Sequence, residues 1–272
     1  MTTTDSRTAA YTSIDDLSVD LADGVLSVTM NRPDSLNSLT AVMFTTIADA
    51  LEQAASDARV KVVRLGGAGR AFSSGAGIGE NDQAQKSVDG PASVIDAANR
   101  AVGSIVNLPQ PVVAVVQGAA AGVGASLALA CDVVLASEKA FFMLAFTRIG
   151  LMPDGGASAL IAAAVGRIRA MRMALLAERI PASEAYEWGL VSAVHPVEMF
   201  DAEVDKVIAT LAAGPAVALR KTKDAINAAT LTELEAALER EKQGQLVLLE
   251  AADFREGTRA FQQRRAATFT DS

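Results

Sequence analysis

The sequence is poor in the residues that most often carry metal-binding or nucleophilic chemistry. It has one cysteine, Cys131, and one histidine, His195, among 272 residues. A single cysteine excludes an intrachain disulfide and a cysteine metal cluster, so we expect no metal site and, by default, a reducing cytoplasm. His195 ends an apolar run, VSAVHP, and we predict a structural role for it at a strand end.

Positive charge and long apolar runs are also scarce. The chain has 24 Lys and Arg against 32 Asp and Glu, a net charge of −8. This acidic balance argues against a nucleic-acid surface. The apolar stretch 111–136 is interrupted by glycines, Gln117, Ser126 and Asp132, so we predict no membrane span. Residues 1–13 are polar and lack the apolar region of a signal peptide, which predicts a flexible tail.

Apolar residues, by contrast, make up 50% of the chain, enough for a substantial core. Segments 17–22 and 25–30 alternate in polarity around Asp23-Gly24, which predicts a hairpin. Thr40 is a predicted N-cap for a helix to Ala55. Its expected core-facing residues are Val42, Ile47, Leu51 and Ala54.

Strand and helix patterns continue to alternate up to about residue 200. Strands are predicted at 60–65, 111–116, 132–136 and 140–143, and helices at 95–108, 157–165, 167–176 and 181–188. This alternation predicts an α/β fold of repeated ββα units over residues 14–200. Residues 201–272 show helical patterns, at 201–213, 216–229, 232–252 and 254–265, and are expected to form a C-terminal helical region.

Two glycine-rich stretches follow predicted buried strands. The first is GGAGRAFSSGAGI at 66–78, and the second is GAAAGVG at 118–124, before a helix predicted from Ala125 to Ala130. The first amides of such a helix lack intrahelical partners and can bind an anion or a developing oxyanion. Gly122 and Gly124 also resemble half of a dinucleotide fingerprint, but Leu127 occupies the third glycine position. Close packing of helix on strand is a further explanation for the glycine pair.

Four motifs in order carry a resemblance to a known family: AFSSGAGI at 71–78, PVVAVVQGAAAGVGASLALACDVVLAS at 111–137, FTRIGLMPDGGASALI at 146–161 and AYEWGLVSAVHP at 185–196. They resemble the enoyl-CoA hydratase/isomerase family, the crotonases. The resemblance implies a spiral of ββα units with a C-terminal helical region that forms trimers, giving a homotrimer or a hexamer. It also implies an acyl thioester of coenzyme A as substrate, with no permanently bound cofactor.

The resemblance implies roles for particular residues. The amides of Ala76 and Val123 match the two that stabilise the enolate oxygen of the thioester. Ser35, Leu36 and Ile78, with the strip around Ala76, match the region that binds the adenine and pantetheine parts of coenzyme A. Arg264 and its neighbour Arg265 are candidates to meet phosphates. Arg220, Lys221 and Lys223 are also basic, but we expect them to be ordinary helix-surface charges.

The acid–base positions depart from the hydratase pattern. Hydratases of the family use two glutamates, and the matching positions hold Ser126 and Phe146, which we assign to the substrate pocket. Asp154 stands where several isomerases carry their carboxylate. A raised pKa, produced by Phe146, Leu151 and Met152, would suit it to proton transfer. The alternative is that Asp154 caps the following helix.

Other acids are assigned to structure or solvent. Glu80 and Asp82 are reserve acids on a loop, and Asp132 is expected to be buried and hydrogen-bonded. A third group of acids is predicted to be solvated: Glu233, Glu235, Glu239 and Glu241. Tyr186 and Trp188 are expected in the core or at an interface.

The function predicted from these residues is movement of a carbon–carbon double bond through a thioester enolate. Hydration of a 2-enoyl-CoA is the alternative within the family, and a non-catalytic acyl-CoA-binding protein is the alternative outside enzymes. Serine hydrolysis is set aside because the chain has no G-x-S-x-G and a badly placed histidine.

Overall fold

The computed structural model describes residues 10–78 and 90–270. The strands are β1 (Leu17–Ala22), β2 (Val25–Met30), β3 (Val62–Gly67), β4 (Ala71–Ser73), β5 (Val112–Val116), β6 (Ala119–Ala121), β7 (Val133–Ser137), β8 (Phe141–Met143), β9 (Ile180–Pro181) and β10 (Ala193–His195). The helices are α1 (Ala41–Ser56), α2 (Pro91–Asn107), α3 (Val123–Leu129), α4 (Ala157–Leu176), α5 (Ala182–Glu187), α6 (Val197–Ala212), α7 (Ala216–Thr230), α8 (Leu234–Glu250) and α9 (Ala252–Gln262). Two 3-10 helices cover Pro33–Ser35 and Ala145–Ile149.

The strands form two sheets. The larger has the order β1-β2-β3-β5-β7-β10, and the smaller has the order β4-β6-β8-β9. β1 and β2 pair antiparallel, and the following neighbours in the larger sheet pair parallel. The units β3-β4-α2, β5-β6-α3 and β7-β8-α4 each give one strand to each sheet before a helix follows. This arrangement confirms the predicted α/β fold of ββα units.

The central strand β5 is buried at all five of its residues, as its β-branched sequence predicts. Its two faces belong to different clusters. Val112, Ala114 and Val116 join the main core, whereas Val113 and Val115 face a smaller cluster that includes Phe200 of α6. The larger sheet is therefore covered on both sides.

Helix α1 begins where the sequence predicts, because the hydroxyl of Thr40 accepts a hydrogen bond from the amide of Met43 at 3.3 Å. Ile47 and Leu51 lie in the core. The prediction for Val42 is wrong, since its side chain is 54% exposed. It lies two residues before the buried Phe44, about 200° around a helix that turns 100° per residue.

The second glycine-rich stretch is more ordered than the turn we predicted. Residues Ala119–Ala121 form β6 between β4 and β8, and α3 begins at Val123 rather than Ala125. Three consecutive alanines have little intrinsic preference for a strand, so this short strand depends on pairing with its neighbours. The helices predicted at 157–165 and 167–176 both form, on either side of a kink at Gly166 with φ 74° and ψ 164°, and are numbered together as α4.

Helices α6 to α9 confirm the helical C-terminal region, and the described residues after 200 contain no strand. Residues 263–270 follow α9 at the end of the described chain. Glu80, Asp82 and most of the polar segment between the first glycine-rich stretch and α2 lie outside the described residues. At the other end, the predicted tail covers residues 1–13, of which 1–9 lie outside them. The hydroxyl of Tyr11 donates to Asp57 at 3.1 Å, so the chain is already anchored there.

Two predictions about charge placement are tested by the fold. Asp132 accepts from the amide of Val112 at 2.7 Å, as expected, but its side chain is 19% exposed, so it is only partly buried. Lys223 was predicted on a helix surface, but its side chain is 6% exposed and its Nζ lies 2.8 Å from Oδ2 of Asp132. The helical pattern of α7 shows which residues share a face, but not which neighbour covers that face.

The aromatic residues near the end of the core differ from each other. Trp188 is buried and has the guanidinium groups of Arg169 and Arg172 5.3 and 5.2 Å from its ring centroid. Tyr186 is 57% exposed, so it does not belong to the core of this chain.

His195 is the last residue of β10, as predicted. Among the described helices, none has both the length and the apolar content needed to cross a membrane.

Candidate active site

The two glycine-rich stretches meet at the ends of neighbouring strands. β4 and β6 pair parallel, so the residues that follow them emerge at the same edge of the smaller sheet. Gly75 has φ +91°, and a Cβ there would lie 2.7 Å from the carbonyl oxygen of Ala121 and 3.4 Å from Cα of Gly122. The two backbones can approach this closely because Gly75 has no side chain. Gly75 and Gly122, the residues just before Ala76 and Val123, therefore lie against each other.

The amide of Ala76 points away from the segment beside it. Leu39 and Ala76 form a parallel bridge in which Leu39 donates to the carbonyl of Gly75 at 2.9 Å and accepts from Gly77 at 3.0 Å. In a parallel bridge, the residue between those two bonding groups directs its own N–H to the opposite side. The Ala76 amide is therefore directed away from Leu39.

Val123 is the first residue of α3, with Gly122 as its N-cap. The first amides of a helix have no acceptor in the preceding turn. The Val123 side chain is buried, and a Cβ on Gly155 would lie 3.1 Å from its Cγ2. The isopropyl group therefore packs against the loop before α4, and its N–H begins the helix.

Asp154 lies in that loop, next to the start of α3. Its carbonyl accepts from the hydroxyl of Ser126 at 2.8 Å, and a Cβ on Gly155 would lie 3.1 Å from both Val123 and Ser126. Ser126 is one helical turn after Val123, so the backbone at Asp154 packs against the first turn of α3. The structure therefore brings together three of the residues named from the sequence: Val123, Ser126 and Asp154.

The side chain of Asp154 does not cap α4, which was the alternative to a catalytic role. The N-cap of α4 is Gly156, and the amides of Gly156 and Ser158 donate to the carboxylate of Glu241 at 2.6 and 2.8 Å. The carboxylate of Asp154 accepts instead from the side-chain amide of Gln245 at 2.7 Å. The side chain that caps α4 is thus supplied by α8.

Ser126 and Phe146 occupy the other two pocket positions. The hydroxyl of Ser126 is fully buried and is used to hold the Asp154 carbonyl. Phe146 is 8% exposed and reaches toward the second glycine-rich stretch, since a Cβ on Gly122 would lie 3.8 Å from its Cζ. Neither side chain titrates near neutral pH, and the aromatic ring fills space beside the turn.

The residues predicted to bind coenzyme A line up along the first glycine-rich stretch. Ser74 donates from its hydroxyl to the carbonyl of Ser35 at 2.9 Å and from its amide to that of Leu36 at 2.8 Å. The carbonyl of Ile78 accepts from the side chain of Gln262, the last residue of α9, at 3.1 Å. Arg264 follows two residues later and is exposed. The structure therefore brings Ser35 and Leu36 beside Ser74, and the end of α9, two residues before Arg264, beside Ile78.

Glu241 and Gln245 were missed by the sequence reasoning, and the prediction that Glu241 is solvated is wrong. They are 1% and 2% exposed. Burial raises the pKa of Glu241, while its bonds with Ser158 and Gly156 act in the opposite direction. A signal was present in the sequence: Leu234 and Leu238 form an apolar stripe, and continuing it by steps of three and four reaches Glu241 and Gln245.

Comparison with known proteins places this geometry in a family. The family model described as enoyl-CoA hydratase/isomerase matches residues 20–272. A crystal structure of an enoyl-CoA hydratase from Mycobacterium avium subsp. paratuberculosis K-10 is similar, with 67% identity, a TM-score of 0.90 and coverage of 95% of this chain and 100% of that one.

Two curated relatives carry different names. A Rhodobacter capsulatus protein named "Probable enoyl-CoA hydratase" is 41% identical over 92% of this chain and 96% of its own length. The 1,2-epoxyphenylacetyl-CoA isomerase of Escherichia coli K12 is 38% identical over 91% of this chain and 95% of its own length. The fold and these matches define an acyl-CoA enzyme of the crotonase type. The chain belongs to the enoyl-CoA hydratase/isomerase family.

Proposed function

We propose that the protein is an isomerase that moves a carbon–carbon double bond within an enoyl thioester of coenzyme A. The observation that carries the proposal is the position of Asp154, a carboxylate in the loop that contacts Val123 and Ser126 at the start of α3. The backbone of a residue that can carry a proton thus lies beside the start of the helix whose first amide is the candidate oxyanion donor. Allylic proton transfer requires both.

In the proposed reaction, the Asp154 carboxylate takes a proton from the carbon between the thioester carbonyl and a 3,4 double bond. The electron pair of that C–H bond moves into the thioester, and the resulting enolate oxygen accepts hydrogen bonds from the amides of Ala76 and Val123. Asp154 then returns the proton to the far carbon of the dienolate. The double bond has moved by one position, and no atom has been gained or lost.

The residues beside Asp154 support an isomerase over a hydratase. Water addition in the family pattern uses two carboxylates, and Ser126 and Phe146 stand at those positions. Ser126 bonds to a backbone carbonyl, and Phe146 places an aromatic ring beside Gly122. General acid–base assistance is commonly worth about 10²–10⁴-fold, so hydration without it is expected to be slow.

The test is product analysis with 3-enoyl-CoA and 2-enoyl-CoA substrates, comparing wild type, Asp154→Asn and Asp224→Asn. Asp224 is an exposed aspartate on α7 and serves as the matched control. We expect wild type and the control to move the double bond and Asp154→Asn to lose at least about 10²-fold in rate. Hydration of the 2-enoyl-CoA at equal rates in all three proteins would make the protein a hydratase in which Asp154 is structural. Thioester binding without turnover by wild type would make it a binding protein.

We further propose that Ser35, Leu36, Ala76, Ile78 and Arg264 bind coenzyme A and that the protein works in the cytoplasm as a homotrimer or a dimer of trimers. The backbone bonds linking residues 35, 36 and 74, and the proximity of the end of α9 to Ile78, support a continuous strip for the cofactor moiety. Exposed apolar side chains on the second half of α4 support assembly: Ile168, Met171 and Leu175.

A further inference from the structure

We propose that Gln245 is a positioning residue that orients the carboxylate of Asp154; this inference rests on the proposed function, in which Asp154 carries the proton. Gln245 belongs to α8, in the C-terminal helical region, 91 residues after Asp154. Its side chain is 2% exposed, and its Nε2 lies 2.7 Å from Oδ2 of Asp154.

The side-chain amide of Gln245 is held in one orientation. Its Oε1 accepts from the backbone amide of Met152 at 3.3 Å, so the oxygen faces a donor and the NH2 group faces the carboxylate. A reversed amide would turn its NH2 group toward the Met152 N–H and its oxygen toward an acceptor. The two bonds hold the backbone at Met152 and the side chain at Asp154 in fixed relation.

Glu241 holds the other end of the same loop from one helical turn earlier. Its carboxylate accepts from the amides of Gly156 and Ser158. Between the two anchors, Gly155 and Gly156 have φ +64° and +76°, a left-handed conformation that other residues rarely adopt. The loop from residue 152 to 158 thus has its glycine-dependent shape fixed by two side chains spaced four residues apart on α8.

The orientation of the Asp154 carboxylate matters for the proposed proton transfer. A carboxylate that must remove a proton at one carbon and return it at another has to keep its orientation throughout the transfer. One oxygen of Asp154 accepts a hydrogen bond from Gln245, which restricts rotation of the carboxylate. Misplacement of a reacting group by about 1 Å can lower a rate by about 10²-fold.

Three single variants separate positioning from general structure. Gln245→Leu removes both hydrogen bonds at similar volume, and Gln245→Glu keeps an acceptor for Met152 but sets a second carboxylate against Asp154. Gln243→Leu is the matched control, because Gln243 is on the same helix, is exposed and bonds to Glu239. Thermal unfolding confirms that each variant is folded before kinetics are measured.

We expect Gln245→Leu and Gln245→Glu to lower kcat for the double-bond shift by about 10- to 100-fold, while KM stays within about threefold. This factor corresponds to the free energy of a hydrogen bond to a charged group. Gln243→Leu should match wild type. In an Asp154→Asn background, Gln245→Leu should lower the residual rate no further, since Gln245 acts through the carboxylate.

The outcomes distinguish this inference from the proposed function. If Asp154→Asn loses activity but both Gln245 variants keep the wild-type kcat, the positioning role is wrong and the proposed function stands. If Gln245→Leu costs the same factor with and without Asp154, Gln245 acts through the fold and the inference is also wrong. If Asp154→Asn keeps full activity, both proposals fail.

A measurement without turnover completes the test. In a double-mutant cycle followed by urea unfolding, Asp154→Ala and Gln245→Leu, each of which removes the hydrogen bond, should show a coupling of at least about tenfold in the unfolding constant, as expected for a buried hydrogen bond to a carboxylate. A coupling within error of zero would show that Gln245 does not constrain Asp154.

Discussion

Lys223 of α7 and Asp132, which precedes β7, form an ion pair with 2.8 Å between Nζ and Oδ2 and side-chain exposures of 6% and 19%. The ammonium also donates to the carbonyls of Ile105 and Gln110 at 3.0 and 3.3 Å. One cation thus joins the C-terminal helices to the end of α2 and to the larger sheet. Its hydrogen bonds offset part of the cost of burying two charges.

We expect Lys223→Met to lower the free energy of unfolding by about 3–5 kcal/mol, because the substitution leaves the Asp132 carboxylate buried without its cation. Lys221→Met is the control, since Lys221 is 70% exposed and lies 3.9 Å from Asp224. It should change stability by less than about 1 kcal/mol. Urea unfolding measures both. Equal effects in the two variants would contradict the buried pair.

The backbone N–H of Val123 is a candidate oxyanion donor that a single substitution can remove. Proline at the first position of a helix is tolerated because that N–H has no intrahelical acceptor, and Val123 is the first residue of α3. Val123→Pro therefore deletes the amide donor while keeping the helix. We expect kcat to fall by about 10²–10³-fold.

The control for that substitution is Val123→Ala, which keeps the N–H and removes part of the side chain. It should stay within about tenfold of wild type. Circular dichroism and coenzyme A binding establish that both variants are folded and bind the thioester. A Val123→Pro protein with the wild-type kcat would show that this amide does not stabilise the transition state.

The hydroxyl of Tyr11 should make the stability of the fold depend on pH in the alkaline range. Burial, together with the hydrogen bond to Asp57 and its charge, raises the pKa of Tyr11 from about 10 to about 12. A group with a raised pKa contributes stability that is fully present below its unfolded value and is lost as the pH rises through the folded value. Part of the stability of the fold should therefore disappear between about pH 10 and pH 12.

The titration can be observed directly because the chain has two tyrosines, and Tyr186→Phe leaves Tyr11 alone. Its phenolate absorbance should appear near pH 12 in that variant. Adding Asp57→Asn should move the midpoint toward pH 10, since the charged partner is removed. Titration of Tyr11 at its ordinary value in the Tyr186→Phe protein would contradict the contact with Asp57.

Assembly is tested on the exposed apolar face of α4. Ile168 and Leu175 are 76% and 61% exposed, and the seven-residue spacing puts them on one face. Light scattering should give a mass three or six times that of the 28.1 kDa chain. Leu175→Asp should lower the mass, because an interface cannot bury the charge unpaired, whereas Lys206→Asp on α6 should not. A wild-type mass of one chain would refute the proposed trimer.

Local sequence determined much of the framework and the candidate donors. The β-branched run of β5 and the N-cap at Thr40 each specify a conformation through residues close together in the sequence. The resemblance to the crotonases named Ala76 and Val123 as a pair, but the parallel pairing of β4 and β6 that brings their two stretches to one edge was not predicted from the sequence.

Tertiary structure alone decided which charged and polar side chains are buried. Glu241 and Lys223 lie on helices whose sequences resemble solvated surfaces, and their partners are 85 residues away at Gly156 and 91 residues away at Asp132. A helical period shows which residues share a face, but the neighbour that covers the face depends on long-range packing. The orientation of Asp154 by Gln245 was hidden for the same reason, since the hydrogen bond exists only after α8 docks against the loop before α4.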